Sequence, residues 1–506
     1  MNHGGLTILD WSIIFIYALV TLGLGYYYSR RQSTINEYFT GGGRMPPTLI
    51  GISLFASLLS TISFLSIPGE AIGKGPVWML NFLTIPIIYV VVGYGLIPFY
   101  MRTRVTSAYE LLESKLGVEI RLLGGVMFIL LRLVWMALLV YLSAKAMTVM
   151  LGVGDGWIPV ITIITGFVAV IYTSLGGLRA VVITDTVQTL LMLGGAILVI
   201  VTVTIYFKGL GWIPMSWQPH WDQQPIFSLN PSVRLTVIGS MLASMTWAIA
   251  TAGGDQTVVQ RFMATTDARA ARRSYLTQQL VGLFIGLTLW FAGFALLGFF
   301  QSQPELLPVN ADLEGQADHL FPHYITYYLP PGVSGFVVAA MFAAAMSSID
   351  SGVNSITAVV STDFIGRMRQ TPVSEQQLTK TAKILAFIIG AVVVAASSLM
   401  DSVPGNITAV TNKTSNLLTT PIFALFFFAI FVPFARPAGV VAGAVCGILT
   451  AFLIAFSGPI FGMLPDGNDP ISFMWISPVA LVVNLGVGTV VSWIIARKSK
   501  PTAILC

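Results

Sequence analysis

The chain has 506 residues, of which 55% are hydrophobic and 9% charged, with a net charge of +5 and a mean hydropathy of +0.83. A soluble domain carries about 25% charged residues, so this composition excludes a water-soluble globular protein and indicates a polytopic membrane protein. The positive excess reads as loop charge that orients spans in a bilayer, not as a nucleic-acid surface. The two cysteines, Cys446 in an apolar run and Cys506 at the last position, make neither a disulfide framework nor metal-ligand spacing.

The start, Met1-Asn2-His3-Gly4-Gly5, has no basic n-region, so the first apolar run is read as a retained helix. Runs long enough to span, about 20 residues, fall near 9–29, 47–72, 77–100, 122–150, 157–176, 180–207, 235–260, 275–301, 332–362, 382–400, 408–434, 438–457 and 471–496. An all-α protein of thirteen helices is expected. Alternate loops carry the cations: Arg30, Arg31 and Arg44, then Arg102, Arg104, Lys115 and Arg121, then Arg179, then Arg261, Arg269, Arg272 and Arg273. Arg367, Arg369, Lys380 and Lys383 follow, then Arg436, then Arg497, Lys498 and Lys500. The opposite set holds chiefly Lys74, Lys208 and Arg234, with an acidic stretch through Glu305, Asp312, Glu314 and Asp318. This asymmetry predicts the N-terminus outside and the C-terminus in the cytoplasm.

Segment 47–72 mixes apolar residues with Ser53, Ser57, Ser60, Thr61 and Ser63, and Pro68-Gly69 is expected to interrupt it. Polar, backbone-breaking sequence at membrane depth is tolerated where it lines a cavity; scattered serines can also bond back to i−4 carbonyls. Segment 235–260 has the same character through Thr246, Thr251-Ala252-Gly253-Gly254 and Asp255-Gln256. The starts of the two segments are five helices apart, which fits two repeats each opening on a broken helix. The chain divides on this basis into an extra helix and loop (1–46), a first repeat (47–207), a second repeat (208–434) and two final helices with a tail (435–506).

An ionised side chain at the bilayer centre costs about 2.5–3.5 kcal/mol or more. Arg132, Lys145, Asp185, Asp255, Asp350 and Lys413 are the candidates, with Glu70 nearer an end. Lys145 is within reach of an interface and can snorkel. Arg132 and Lys413 either meet an anionic group or neutralise an aspartate. The densest polar stretch is Ser347-Ser348-Ile349-Asp350-Ser351-Gly352-Val353-Asn354-Ser355. On a helix Ala344, Ser347, Ser348 and Ser351 share one face. Hydroxyls there are hard oxygen ligands for a small hard cation, and we read this face as half of a sodium site.

Longer motifs carry a resemblance. Tyr172-Thr173-Ser174-Leu175-Gly176-Gly177-Leu178-Arg179-Ala180 with Asp185 after it, Glu37-Tyr38-Phe39-Thr40-Gly41-Gly42-Gly43-Arg44, and Gln256-Thr257-Val258-Val259-Gln260-Arg261-Phe262 resemble motifs of the sodium/solute symporter family. Through Phe55–Gly69 and Ala339–Asp363 the likeness is to bacterial sialic acid symporters. The resemblance implies a LeuT-type core of ten helices in two inverted repeats, with one helix before and two after. It implies sodium-coupled symport of a sugar or sialic-acid-like sugar acid across the plasma membrane by alternating access. Its first sodium site would use Ala56, Leu59, Ala344, Ser347 and Ser348. A second site, present in some members, would use Asp185, Ser348 and Ser351, and this chain adds Asp350 where those relatives have a hydroxyl residue. Two carboxylates around one sodium leave a negative charge, which a proton on one of them would cancel.

The resemblance places solute among Ser60, Ser63, Asn81, Trp135, Arg132, Gln256, Asn412 and Lys413. Trp135 stands where an arginine is expected and suits stacking on a sugar ring or simple packing; Arg132 is one turn away on roughly the same face. Small carboxylates or vitamins are alternative solutes, and proton coupling through Asp185 and Asp350 is the alternative to sodium. No nucleotide loop or His/Cys cluster points to an enzyme, and no obligate protein partner is evident.

Overall fold

The computed structural model describes residues 5–29, 34–103, 105–222, 226–308, 312–368, 374–400, 407–464 and 469–498. Its spans are α1 (Ile8–Ser29), the pair α2 (Pro47–Leu58) and α3 (Thr61–Gly73), an irregular span Pro76–Thr103, α4 (Val118–Leu151) and the long α5 (Ile158–Phe207). Then come α6 (Val237–Gly254) with the short α7 (Gln256–Met263), α8 (Ala268–Ser302), α9 (Val333–Val359), α10 (Glu375–Ser397), α11 (Ile407–Phe431), α12 (Pro437–Ala455) and α13 (Ile476–Lys498). Eleven described helices are long and apolar enough to cross a membrane, and the bent pair α2–α3 makes a twelfth. The remaining expected span, 157–176, corresponds to a shorter apolar helix, Ile158–Ile171. It is joined to the rest of α5 at Gly177, whose φ of 55° and ψ of −166° suit glycine alone.

The interruption expected at Pro68-Gly69 lies elsewhere. Pro68 sits inside α3, and the chain breaks nine residues earlier, where Leu59 and Ser60 turn extended (ψ 120° and 171°). α2 and α3 meet there at 69°. The local reason is capping: the Ser60 hydroxyl accepts from the Ser63 amide at 3.4 Å, so α3 starts at a serine N-cap. The second repeat breaks in the same way. Asp255 turns extended between α6 and α7 (ψ 119°), and its carboxylate accepts from the Thr257 amide at 2.8 Å. The carbonyl freed at Gly254 accepts from the buried Tyr109 hydroxyl at 3.0 Å.

α9 is the enclosed centre: 83% of its most apolar window is buried, against 22% for α1. It lies along α5 and touches α2, while α8 backs both halves of the broken helix. At Asp10 the first helix reaches into this core; its Oδ1 accepts from the amides of Gly332 and Gly335, each at 2.7 Å, and so neutralises the amide end of α9.

Close packing behind the break is testable at Gly293 of α8. A Cβ there would lie 2.7 Å from the Pro68 carbonyl oxygen and 2.6 Å from the Ala71 Cβ, whereas nothing lies within 4 Å of one at Gly95. Gly293→Val should destabilise by about 1–3 kcal/mol, read as a lower melting temperature of the purified protein. Gly95→Ala should leave it unchanged.

Candidate functional site

The break in α2–α3 releases backbone carbonyls that no helical amide reaches. α9 supplies their partners. The Ser347 hydroxyl donates to the Ala56 carbonyl at 2.9 Å and lies 3.1 Å from the Ala344 carbonyl. The Ser348 hydroxyl donates to the Leu59 carbonyl at 3.4 Å. All five residues expected for the first ion site therefore converge, and each is buried. The donor set is three carbonyls and two hydroxyls, with no nitrogen, sulfur or carboxylate. Such a set suits a hard cation of low charge, since a divalent ion of this class recruits carboxylates. Among the described residues no group of three His, Cys, Asp or Glu is placed to hold a metal ion.

A cavity opens beside this convergence. Ser63 of α3, Asn81 of the irregular span, and Arg132 and Trp135 of α4 line it, together with Trp78 and Trp247. Arg132 pairs through Nη2 with Asp255 at the second break, so the reading in which it neutralises an aspartate holds. Its Nε is buried without a hydrogen-bond partner. The cavity thus offers aromatic faces, a few hydroxyl and amide groups, the Arg132 guanidinium and the carboxylates of Glu70 and Asp255.

Other expected solute residues lie apart. Ser60 is spent capping α3 and does not line the cavity. Gln256 is fully buried, with its side chain accepting from the Ala108 amide and donating to the Thr106 carbonyl, both at 2.7 Å. It locks the loop before α4, because a buried amide must satisfy both its donor and its acceptor. Lys413 lies outside the cavity wall and pairs with Asp469 at 2.6 Å. The side chain of Asn412 lies outside the described residues.

The expected second ion site is built differently. Asp185 and Ser351 come together, but a residue counted as a loop cation stands between them. Arg261 at the end of α7 is 0% exposed. It donates to Ser351 Oγ at 2.6 Å, to Ser53 Oγ at 2.8 Å and to Asp185 Oδ2 at 3.3 Å. Asp350 is buried, accepting from the Ser351 hydroxyl at 3.2 Å, and Ser348 turns to Leu59 instead. The signal for Arg261 was present in the sequence: two aspartates inside spans require a buried counter-charge, and Arg261 follows a break rather than a full loop.

The family model for sodium:solute symporters matches residues 38–447. The chain is 31% identical over 443 residues to the sodium/sialic acid symporter SiaT of Proteus mirabilis, covering 86% of each chain. It is 31% identical to the sodium/sialic acid symporter NanT of Aliivibrio fischeri, over 84% of this chain and 83% of that one. The solved structure of a sodium-coupled sialic acid symporter in a substrate-bound outward-open state superposes with a TM-score of 0.82 at 26% identity, covering 96% of this chain and 98% of that one. Mhp1, a nucleobase-cation symporter, shares the fold at a TM-score of 0.54 and 12% identity. With two broken helices in two five-span sets, and an oxygen cage joining the first break to α9, the chain belongs to the sodium:solute symporter family and is a sodium-coupled transporter of LeuT-type fold.

Proposed function

We propose that the solute is a sialic-acid-like sugar acid and that one sodium binds at Ala56, Leu59, Ala344, Ser347 and Ser348. The observation that carries this reading is the junction of the two sites: Leu59 contributes a carbonyl to the oxygen cage and also lines the cavity. The relatives named for sialic acid transport support the solute class. Arg132 in the cavity wall supports a carboxylate on the solute, and Trp135 supports stacking on the apolar face of its ring. Ser63 and Asn81 complete the contacts. The protein acts as a carrier, without covalent chemistry, in the plasma membrane; the loop charges favour an outer N-terminus and a cytoplasmic C-terminus.

In this mechanism sodium replaces the hydroxyl hydrogens as the link between the broken helix and α9. Holding Leu59 holds one wall of the cavity, so ion and solute raise each other's affinity by the same factor. Release of the ion at low sodium loosens that wall and frees the solute.

In reconstituted vesicles, uptake of sialic acid should require an inward sodium gradient and vanish when choline replaces sodium. Ser348→Ala should raise the sodium concentration for half-maximal uptake at least about tenfold, as expected for one lost ligand to a charged group. Unchanged sodium dependence in this variant would remove the site assignment.

Arg132→Gln should weaken sialic acid binding about 10–100-fold and also lower stability, because it strands Asp255. Adding Asp255→Asn should restore stability without restoring affinity. Recovery of both in the double variant would show that Arg132 serves only its aspartate.

A further inference from the structure

The cavity is longer than the contacts so far assigned to the solute. It follows α6 from Asp255 at the second break to Ser240 near the start of that helix, a length of about 22 Å. Arg132, paired with Asp255, marks one end. In the orientation that the loop charges favour, the Ser240 end faces out. There the wall is formed by Trp78, Trp247, Phe473 and Met474. Most polar groups in this half are already spent. The Ser240 and Ser415 hydroxyls donate to carbonyls of their own helices, Val237 at 2.9 Å and Thr411 at 2.8 Å. Asn416 Oδ1 accepts from Ser477 at 2.7 Å, and Glu70 is held by Arg234.

Phe473 and Met474 come from the last connection of the chain, between α12 and α13, beyond the residues 38–447 that the family model matches. This connection is tied down on two sides. Ser472 donates its hydroxyl to the Arg234 carbonyl at 2.6 Å and its amide to the Pro231 carbonyl at 2.8 Å, which fixes it to the entry of α6. Asp469 pairs with Lys413, which fixes it to α11. Phe473 and Met474 are 7% and 4% exposed, and Phe473 faces Trp78 with ring centroids 6.5 Å apart. The wall is thus held in place before any solute arrives, and little ordering cost falls on binding.

We propose that this outer stretch is a substituent subsite: the transporter takes a sugar acid that carries an apolar acyl or aryl group on the end far from its carboxylate, and Trp78, Phe473 and Met474 receive that group. The proposal rests on the sugar-acid reading above and narrows it. One sugar ring held at Arg132 fills only part of the cavity's length. A bare polyol end reaching outward would meet indole, phenyl and thioether, which cannot replace its water. An apolar group leaves water there at a gain, and an aryl ring adds edge or offset contacts with the aromatic faces and with the Met474 sulfur.

Two probes test this in binding to the purified protein with sodium present: sialic acid, and sialic acid bearing a benzoyl ester on its terminal hydroxyl. The ester should bind about 10–100-fold more tightly, as expected for burying one phenyl ring. Phe473→Ala should abolish that advantage. A purely structural role for Phe473 would weaken both probes alike and leave their ratio unchanged, and that result in a folded variant would overturn the subsite. An ester that binds the wild type no more tightly than sialic acid would overturn it as well. Should Phe473→Ala fail to fold, Trp78→Leu from the facing wall is read by the same ratio. Absence of binding by either probe would instead overturn the sugar-acid reading on which the subsite rests.

Discussion

The rest of the structure depends on two backbone carbonyls. By breaking at Leu59–Ser60, the first core helix gives up the amides that would have satisfied Ala56 and Leu59. In a bilayer such carbonyls are costly unless protein covers them. α9 covers them, and it does so with hydroxyls, which can donate to a carbonyl or turn their lone pairs toward an ion. In the proposed cycle the same oxygens satisfy two states, one without sodium and one with it. A carbonyl capped by an amide would have no such choice. The small residues of α9 let the backbones approach; Ala344 and Ala345 beside Ser347 leave the hydroxyls within reach of α2.

Buried charge is the second organising constraint. Asp185 is held by Arg261 and Asp255 by Arg132, and Glu70 meets Arg234, which also reaches Asp222 at 3.1 Å. Pairs of this kind add little net stability, since desolvation offsets their attraction. They are intolerant of losing one partner, and that makes them specific. Each one crosses between elements: α7 to α5, α6–α7 to α4, and α3 to the connection before α6. The two breaks differ accordingly. The first is lined with uncharged oxygens and suits a mobile ion. The second is pinned by a side-chain pair and keeps its charge in place.

Hydropathy made the spans legible, because thirteen apolar runs need only their own composition to be recognised. The cage was legible through helical periodicity for α9 and through resemblance for Ala56 and Leu59. What failed were readings that depend on which neighbour a side chain finds. Pro68-Gly69 looked like the interruption, yet a proline within α3 was tolerated and the unremarkable Leu59-Ser60 turned extended. Gln256 beside a break looked like a solute ligand, but its amide is consumed by the loop at Thr106 and Ala108. Arg261 looked like one more cytoplasmic cation in a basic loop. Two aspartates inside spans call for a buried counter-charge, and tertiary packing is what brings α7 back into the core to deliver it to Asp185.

The number of sodium ions that accompany the solute sets the energetics of transport. Each sodium moving inward gains from its concentration gradient and, through its charge, about 2.3 kcal/mol per 100 mV of membrane potential. A sugar acid carries one negative charge against that potential. With two sodium ions the cycle would move one net positive charge and draw on the potential. With one sodium and an anionic solute the moved charges cancel, and the sodium concentration ratio alone sets the limit of accumulation. Arg261 supplies a positive charge to the core without carrying it across the membrane.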